Sequence, residues 1–193
     1  PNIDKKILIK TCLNSLKNSL IRFLEKNNQV SINLHLIKDQ SDESFDQEIK
    51  NLLSNDKFNC HFHNSQKKGN HGSILECCNV ANKFSNDLIF FIEDDYIFEI
   101  NAIDEMISTY SRIASVLKKD IFLCPSDYPF YYDSLYETSL IMGKDHRWRF
   151  VGESLLTFLL SKKLFNDYED KIREIGLKNN HPFEKPLHEI YKS

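Results

Sequence analysis

A chain of 193 residues, 41% hydrophobic and 27% charged, is long enough to bury one core and ordinary in composition for a globular domain. Its formal net charge of −3 and lack of a basic stripe argue against nucleic acid as the main partner. Five cysteines, odd in number and without paired spacing, argue against a disulfide framework and fit reduced thiols in a cytoplasmic setting.

No Cys-x-x-Cys or His-x₃-His spacing suggests structural zinc. No signal peptide and no apolar run of bilayer length are evident. The chain opens on Pro1 and not Met, so any peripheral membrane association would come through a segment outside these residues.

In chain order, Lys6 to Thr11 (KILIKT) reads as an opening strand, and Leu16, Leu20, Phe23 and Leu24 mark the apolar face of a helix after it. Ser31 to Lys38 reads as a second strand ending in the polar turn Asp39-Gln40-Ser41-Asp42. Phe45, Ile49, Leu52 and Leu53 give the next helical stripe, and Phe58 to His63 a third strand. A loop with Lys67, Lys68, Gly69 and Asn70 leads to a helix through Ile74, Leu75, Cys78 and Ala81. There Ser73 and Glu76 have the spacing of a capping box. Cys12, Cys60 and Cys124 lie on predicted strands, with Ile121 to Cys124 the short strand after a long helix over 100–117.

The fourth strand is the most informative. Leu88-Ile89-Phe90-Phe91-Ile92 runs straight into Glu93-Asp94-Asp95. Continuous apolar character predicts a strand buried on both faces. Three acids at its end repel one another unless a cation or a hydrogen-bonding ligand is present. Carboxyl ends of strands are where open α/β sheets bind ligands. A solvated acidic turn that caps the following helix is the plainer alternative.

After Pro125 the sequence becomes aromatic, with Tyr128, Tyr131 and Tyr132. Leu135 to Met142 and Arg147 to Leu160 look strand-like, and helical patterns return over 162–175 and 184–191. Strands separated by helices predict βαβ units and a mainly parallel sheet flanked by helices, with an antiparallel addition in the C-terminal half. The predicted organisation is one domain over residues 1–193, with a first half over 1–124 and a second over 125–193.

Two further features can carry chemistry. Glycines let the backbone of the 67–73 loop approach a ligand, and a helix start there suits an anion such as a diphosphate, bound by Lys68, Gly69, Asn70 and Ser73; a well-capped loop-to-helix junction is the plain alternative. Asp39 could accept hydrogen bonds from a base or a ribose hydroxyl, or simply close its own turn.

Taken together, Ile7 to Thr11, Leu36 to Asp42, Gly69 to Asn79 and Phe91 to Asp95 resemble, in order and spacing, the GT-A glycosyltransferases, and more closely the inverting family-2 type. The match covers about residues 5 to 117 well and the remainder loosely. The resemblance implies a GT-A α/β fold, a nucleotide-sugar donor (usually a UDP-sugar), Mn²⁺ or Mg²⁺, and a hydroxyl acceptor on a sugar, lipid-linked or protein partner. It implies glycan or polysaccharide assembly in the cytoplasm.

Carried over by position, Thr11 and Asp39 would hold the nucleoside, Asp94 the ribose or sugar, and Asp95 the metal, with Glu93 assisting. His188, or less favourably His181, would add a metal ligand, against the plainer reading of each as a lone surface histidine. The general base falls among Asp127, Asp133, Asp145 and Glu153, with Glu153 preferred because it opens a strand-like stretch after Arg147-Trp148-Arg149. Trp148 could stack on the acceptor sugar or fill the core. The chain departs from the family at Lys10, often Pro; at Lys38, commonly Asp; and at Glu93, usually Asp. The rival readings are a nucleotide-sugar-binding module without catalysis and a sugar nucleotidyltransferase. The second is disfavoured because Thr11 to Ser15 contains no glycine.

Overall fold

The computed structural model describes residues 4–132 and 138–192. Its elements run α1 (Lys5–Lys26), β1 (Asn33–Lys38), α2 (Glu43–Leu53), β2 (Asn59–Asn64), α3 (Gly69–Phe84), β3 (Leu88–Phe91) and α4 (Ala102–Leu117). A 3₁₀ turn (Pro129–Tyr132) follows, then β4 (Leu140–Met142), β5 (Arg147–Arg149), β6 (Phe158–Ser161), α5 (Lys162–Leu177) and α6 (Lys185–Tyr191). The fold is mixed α/β. Two compact units share it: Pro1–Glu76 with Glu93–Asp104, and Cys77–Ile92 with Glu105–Ser193.

The first unit rests on a parallel pair. β1 and β2 run side by side with Leu34 opposite Cys60 and Leu36 opposite Phe62. Because side chains alternate along a strand, these four share a face, and that face packs against Phe45, Ile49 and Leu53 of α2 and Ile9 and Leu13 of α1. α2 starts where expected: Asp42 is its N-cap and accepts from the Phe45 N–H at 2.7 Å.

The predicted opening strand is wrong. Lys6 to Thr11 is the first part of the 22-residue helix α1. Asp4 caps its start by accepting from the Lys6 N–H at 2.9 Å. No glycine or proline interrupts residues 5–26, and a buried stripe of Cys12, Leu16, Ser19, Leu20, Phe23 and Leu24 runs along it. The Ile7-Leu8-Ile9 triplet mimics a strand over three residues, but Ile9 and Leu13 extend the helical stripe backwards onto α2, and packing along that stripe decides the outcome.

The second unit is built on an antiparallel pair. β3 faces β6 with Leu88 opposite Ser161 and Phe91 opposite Phe158. Leu123 adds an antiparallel bridge to Leu159, the two exchanging N–H···O bonds of 2.9 and 2.8 Å. This bridge is all that forms of the strand expected over 121–124, so Cys124 lies beyond it. One face of the pair meets α4 through Leu88, Phe90 and Leu159 against Met106 and Tyr110. On the other, Phe91 stacks on Phe158 at 4.9 Å between centroids and meets Phe165 of α5 at 6.0 Å. β3 is thus sandwiched as its apolar run predicts.

The mainly parallel central sheet is also corrected. Among the described residues the strands form three two-stranded sheets: β1–β2 parallel, β3–β6 and β4–β5 antiparallel. Residues expected to supply the opening strand are helical and join no sheet. β3 finds its partner about seventy residues downstream in β6. The antiparallel addition in the later part of the chain is present in β4, β5 and β6, although residues 133–137 of the expected 135–142 strand lie outside the described residues.

Candidate functional site

Glu93, Asp94 and Asp95 follow β3 by one residue, and Asp94 and Asp95 form an exposed turn. Among the described residues neither Asp94 nor Asp95 is engaged by a side-chain cation. Their charge is felt by α1: the buried Cys12 thiol is pushed up, first by burial and then by Asp95 and Asp94. The segment after the turn is fastened to the same helix. The Phe98 N–H donates to Ser15 Oγ at 2.9 Å, the Ile103 N–H donates to Ser19 Oγ at 3.2 Å, and Lys26 pairs with Asp104 at 3.5 Å. The acidic turn is therefore held against the middle of α1 by residues whose sequence gave no sign of the role.

Thr11 lies one residue before Cys12 on that helix, but not at a strand end. Its hydroxyl donates to the Ile7 carbonyl at 2.9 Å, the ordinary arrangement of a threonine inside a helix.

The turn after β1 is occupied with its own architecture. Gln40 takes a left-handed φ of 58°. Ser41 donates to Asp46 at 2.5 Å, and Lys38 reaches the same carboxylate at 2.5 Å. That pair explains why a lysine is accommodated where the resemblance would place an acid. Asp39 Oδ2 accepts the Gly69 N–H at 2.8 Å.

The last contact corrects the expected capping box. α3 begins at Gly69, with φ of 79°, four residues before Ser73. Asp39 takes one of the N–H groups a helix start leaves without intrahelical partners, so the helix forms earlier than the local sequence predicts. Gly72 has to be a glycine: a Cβ there would overlap the Lys67 carbonyl and come within 2.8 Å of the Lys67 Cβ. Ser73 and Asn70 lie within the first turns of α3, while Lys67 and Lys68 project from the loop, exposed and unpaired among the described residues. A carboxylate, Asp39, already sits at the positive end of this helix, which leaves the two lysines as its anion-attracting groups.

Glu153, Trp148 and His188 belong to the second unit. Trp148 packs against the Met106, Tyr110, Leu123 and Leu159 cluster, and its indole N–H donates to Glu105 Oε1 at 2.8 Å. Glu105 is buried, and its carboxylate also accepts the Asp145 N–H at 2.6 Å, the Lys144 N–H at 3.2 Å and the Thr109 hydroxyl at 3.0 Å. Burial pushes this carboxyl up, but the bonds from Trp148, Asp145, Thr109 and His146 outweigh it and hold it at about 2. Trp148 is thus the core aromatic of a pinned β4–β5 hairpin. Asp145 contributes its backbone to the same pin.

His188 Nε2 lies 3.1 Å from the Ser154 carbonyl, and Ser154 Oγ is 2.8 Å from the Tyr191 hydroxyl; these contacts tie α6 to the segment before β6. Glu153 is exposed, 3.9 Å from Lys192. It precedes no strand directly, since 151–157 is irregular and β6 starts at Phe158. Tyr131 donates to the Glu153 carbonyl, and Tyr132 to Asp127. His181 is exposed. Asp133 lies outside the described residues.

Among the described residues no three His, Cys, Asp or Glu groups converge as a ready metal site, and no helix is long and apolar enough to cross a membrane. Two exposed carboxylates nevertheless suit a hard cation of the Mg²⁺ or Mn²⁺ kind, which takes one or two protein carboxylates and completes its shell with water and substrate phosphates. Compared with models of protein families, with curated proteins and with solved structures, the chain matches none of them.

Proposed function

We propose that the chain is a metal-dependent glycosyltransferase of the GT-A kind, moving a sugar from a nucleotide-diphosphate donor, a UDP-sugar by resemblance, to a hydroxyl acceptor with inversion. The observation that carries the reading is the exposed Asp94-Asp95 turn at the carboxyl end of a strand sandwiched between helices, unneutralised by any described cation. Exposed Lys67 and Lys68 before α3, in the same unit, add a second attraction for a diphosphate.

In this reading Asp95, helped by Glu93, holds Mn²⁺ or Mg²⁺, and Asp94 accepts hydrogen bonds from ribose or sugar hydroxyls. When bound, such a cation stabilises the charge that gathers on the departing diphosphate. Lys67 and Lys68 attract and orient the same phosphates. Asp39 does not contact the nucleoside directly unless it releases Gly69; it shapes the loop that carries the lysines. Trp148 and His188 are assigned to the fold, because their polar atoms already have partners there.

A second reading, a nucleotide-sugar-binding module without turnover, is favoured by that same engagement of Asp39, Trp148 and His188. Release of UDP from UDP-sugars with Mn²⁺ separates the two. Turnover that is lost in Asp95→Asn supports the enzyme. Donor binding with no turnover across UDP-, GDP- and dTDP-sugars supports the module.

A further inference from the structure

Three histidines share the outer face of the β1–β2 pair. Asn33 stands opposite Asn59, His35 opposite His61, and Ile37 opposite His63. Strand alternation puts these six on the face away from Leu34, Leu36, Cys60 and Phe62, whose packing on α1 and α2 fixes the strands beneath. His35 Nδ1 lies 2.9 Å from His63 Nε2. The His35 ring stacks on His61 at 4.7 Å and on His63 at 5.1 Å between centroids. His61 is exposed and the other two half-buried. Nothing in the acidic-turn reading uses this cluster.

We propose that His35, His61 and His63 form a binding site for a borderline divalent transition metal, Zn²⁺ above all, with the fourth position open to water. Imidazole is a preferred ligand of such ions and a poor one for Mg²⁺. Two imidazole nitrogens on a tetrahedral zinc, with bonds of about 2.0–2.1 Å, stand about 3.3 Å apart. The His35 and His63 nitrogens are 2.9 Å apart, so the two rings lie close enough for rotation about their side-chain bonds to bring both onto one ion.

His61, two residues from His63 and directly across from His35, turns out of its stack to supply the third nitrogen. In the present rotamers the rings stack and do not converge, so the site forms by side-chain rotation over a fixed backbone. Each ring gives one lone pair. A neutral imidazole that ligates through one nitrogen keeps its proton on the other, so the proton shared between His35 and His63 moves to a nitrogen facing away from the metal. The adjacent-strand pairing that makes the cluster cannot be seen in the sequence, where only His61-x-His63 is local.

The test is zinc titration of the full chain against a chromogenic chelator, with Co²⁺ absorption as a second readout. The expected result is one tight zinc per chain and a tetrahedral cobalt spectrum without a thiolate charge-transfer band. Affinity should fall at least about tenfold in His61→Gln and in His63→Gln and stay unchanged in His146→Gln and Asp95→Ala. No binding, equal binding in the histidine variants, or a thiolate band from the cysteines would overturn the proposal. Should a variant fail to fold, ring-nitrogen NMR of the unaltered chain decides: zinc must move the signals of three histidines together. Asp95→Ala keeps this outcome separate from that of the glycosyltransferase reading.

Discussion

Replacing Glu105 by glutamine leaves its shape and removes its charge. The buried carboxylate accepts from the Trp148 indole and from the Asp145, Lys144 and Thr109 donors at 2.6 to 3.2 Å. An amide offers one accepting oxygen where the carboxylate offers two, so at least one buried donor loses its partner, at about 1–3 kcal/mol each. A second route gives a similar size. Holding the Glu105 carboxyl at about 2, against an ordinary value of 4.5, corresponds to about 3 kcal/mol of linked stability.

Because the folded value is depressed, this contribution is complete above pH 4.5 and is lost as pH falls toward about 2. Glu105→Gln should therefore destabilise the protein by about 2–4 kcal/mol at pH 7 and flatten its stability profile below pH 4.5. Urea unfolding followed by fluorescence reports on this directly, since Trp148 is the only tryptophan and is itself one of the donors. A loss below about 0.5 kcal/mol at pH 7, or an acid profile parallel to the unaltered chain, would refute the reasoning.

Alanine in place of Gly72 would normally favour a helix, but its Cβ meets the Lys67 backbone. Thermal melts should show a net loss of about 1–3 kcal/mol, and a gain would mean the loop moves freely. Thr11→Ala should change stability by less than about 0.5 kcal/mol and leave UDP affinity unaltered, because the hydroxyl donates to the Ile7 carbonyl within its own helix; loss of UDP binding would restore Thr11 to the site. Burial raises the Cys60 thiol to about 11 and, opposed by Arg173, the Cys78 thiol to about 12. Mass-spectrometric alkylation at pH 8 should find both at least about 100-fold slower in the native than in the urea-unfolded chain, and equal rates would contradict their burial.

What the sequence revealed is what short-range pattern can encode. Phe45, Ile49, Leu52 and Leu53 give α2 its stripe. The apolar run 88–92 gives a strand with helices on both faces. Helices after Lys162 and Glu184 follow from periodicity in the same way. What stayed hidden depends on contacts across long separations. KILIKT reads as a strand because its three apolar residues fit either period, and only the stripe continuing to Leu24 shows it to be helical. The start of α3 is set by Asp39, thirty residues earlier. β3 pairs with β6, and Glu105 binds the 144–146 turn some forty residues on. At the candidate site, the exposed acids were legible at the strand end. The second roles of Asp39, Trp148 and His188 were not, because each is fixed by a partner distant in sequence.

The central claim is that Asp95 binds a nucleotide diphosphate through a divalent cation. Calorimetric titration of UDP tests it most directly, with Mn²⁺, with EDTA, and with Mn²⁺ in an Asp95→Ala chain shown to be folded. The account predicts binding with Mn²⁺ alone, abolished by EDTA and by the substitution. UDP binding that is indifferent to metal and to Asp95, or no binding of UDP, GDP or dTDP under any condition, would contradict it and leave Asp94 and Asp95 as a solvated strand end.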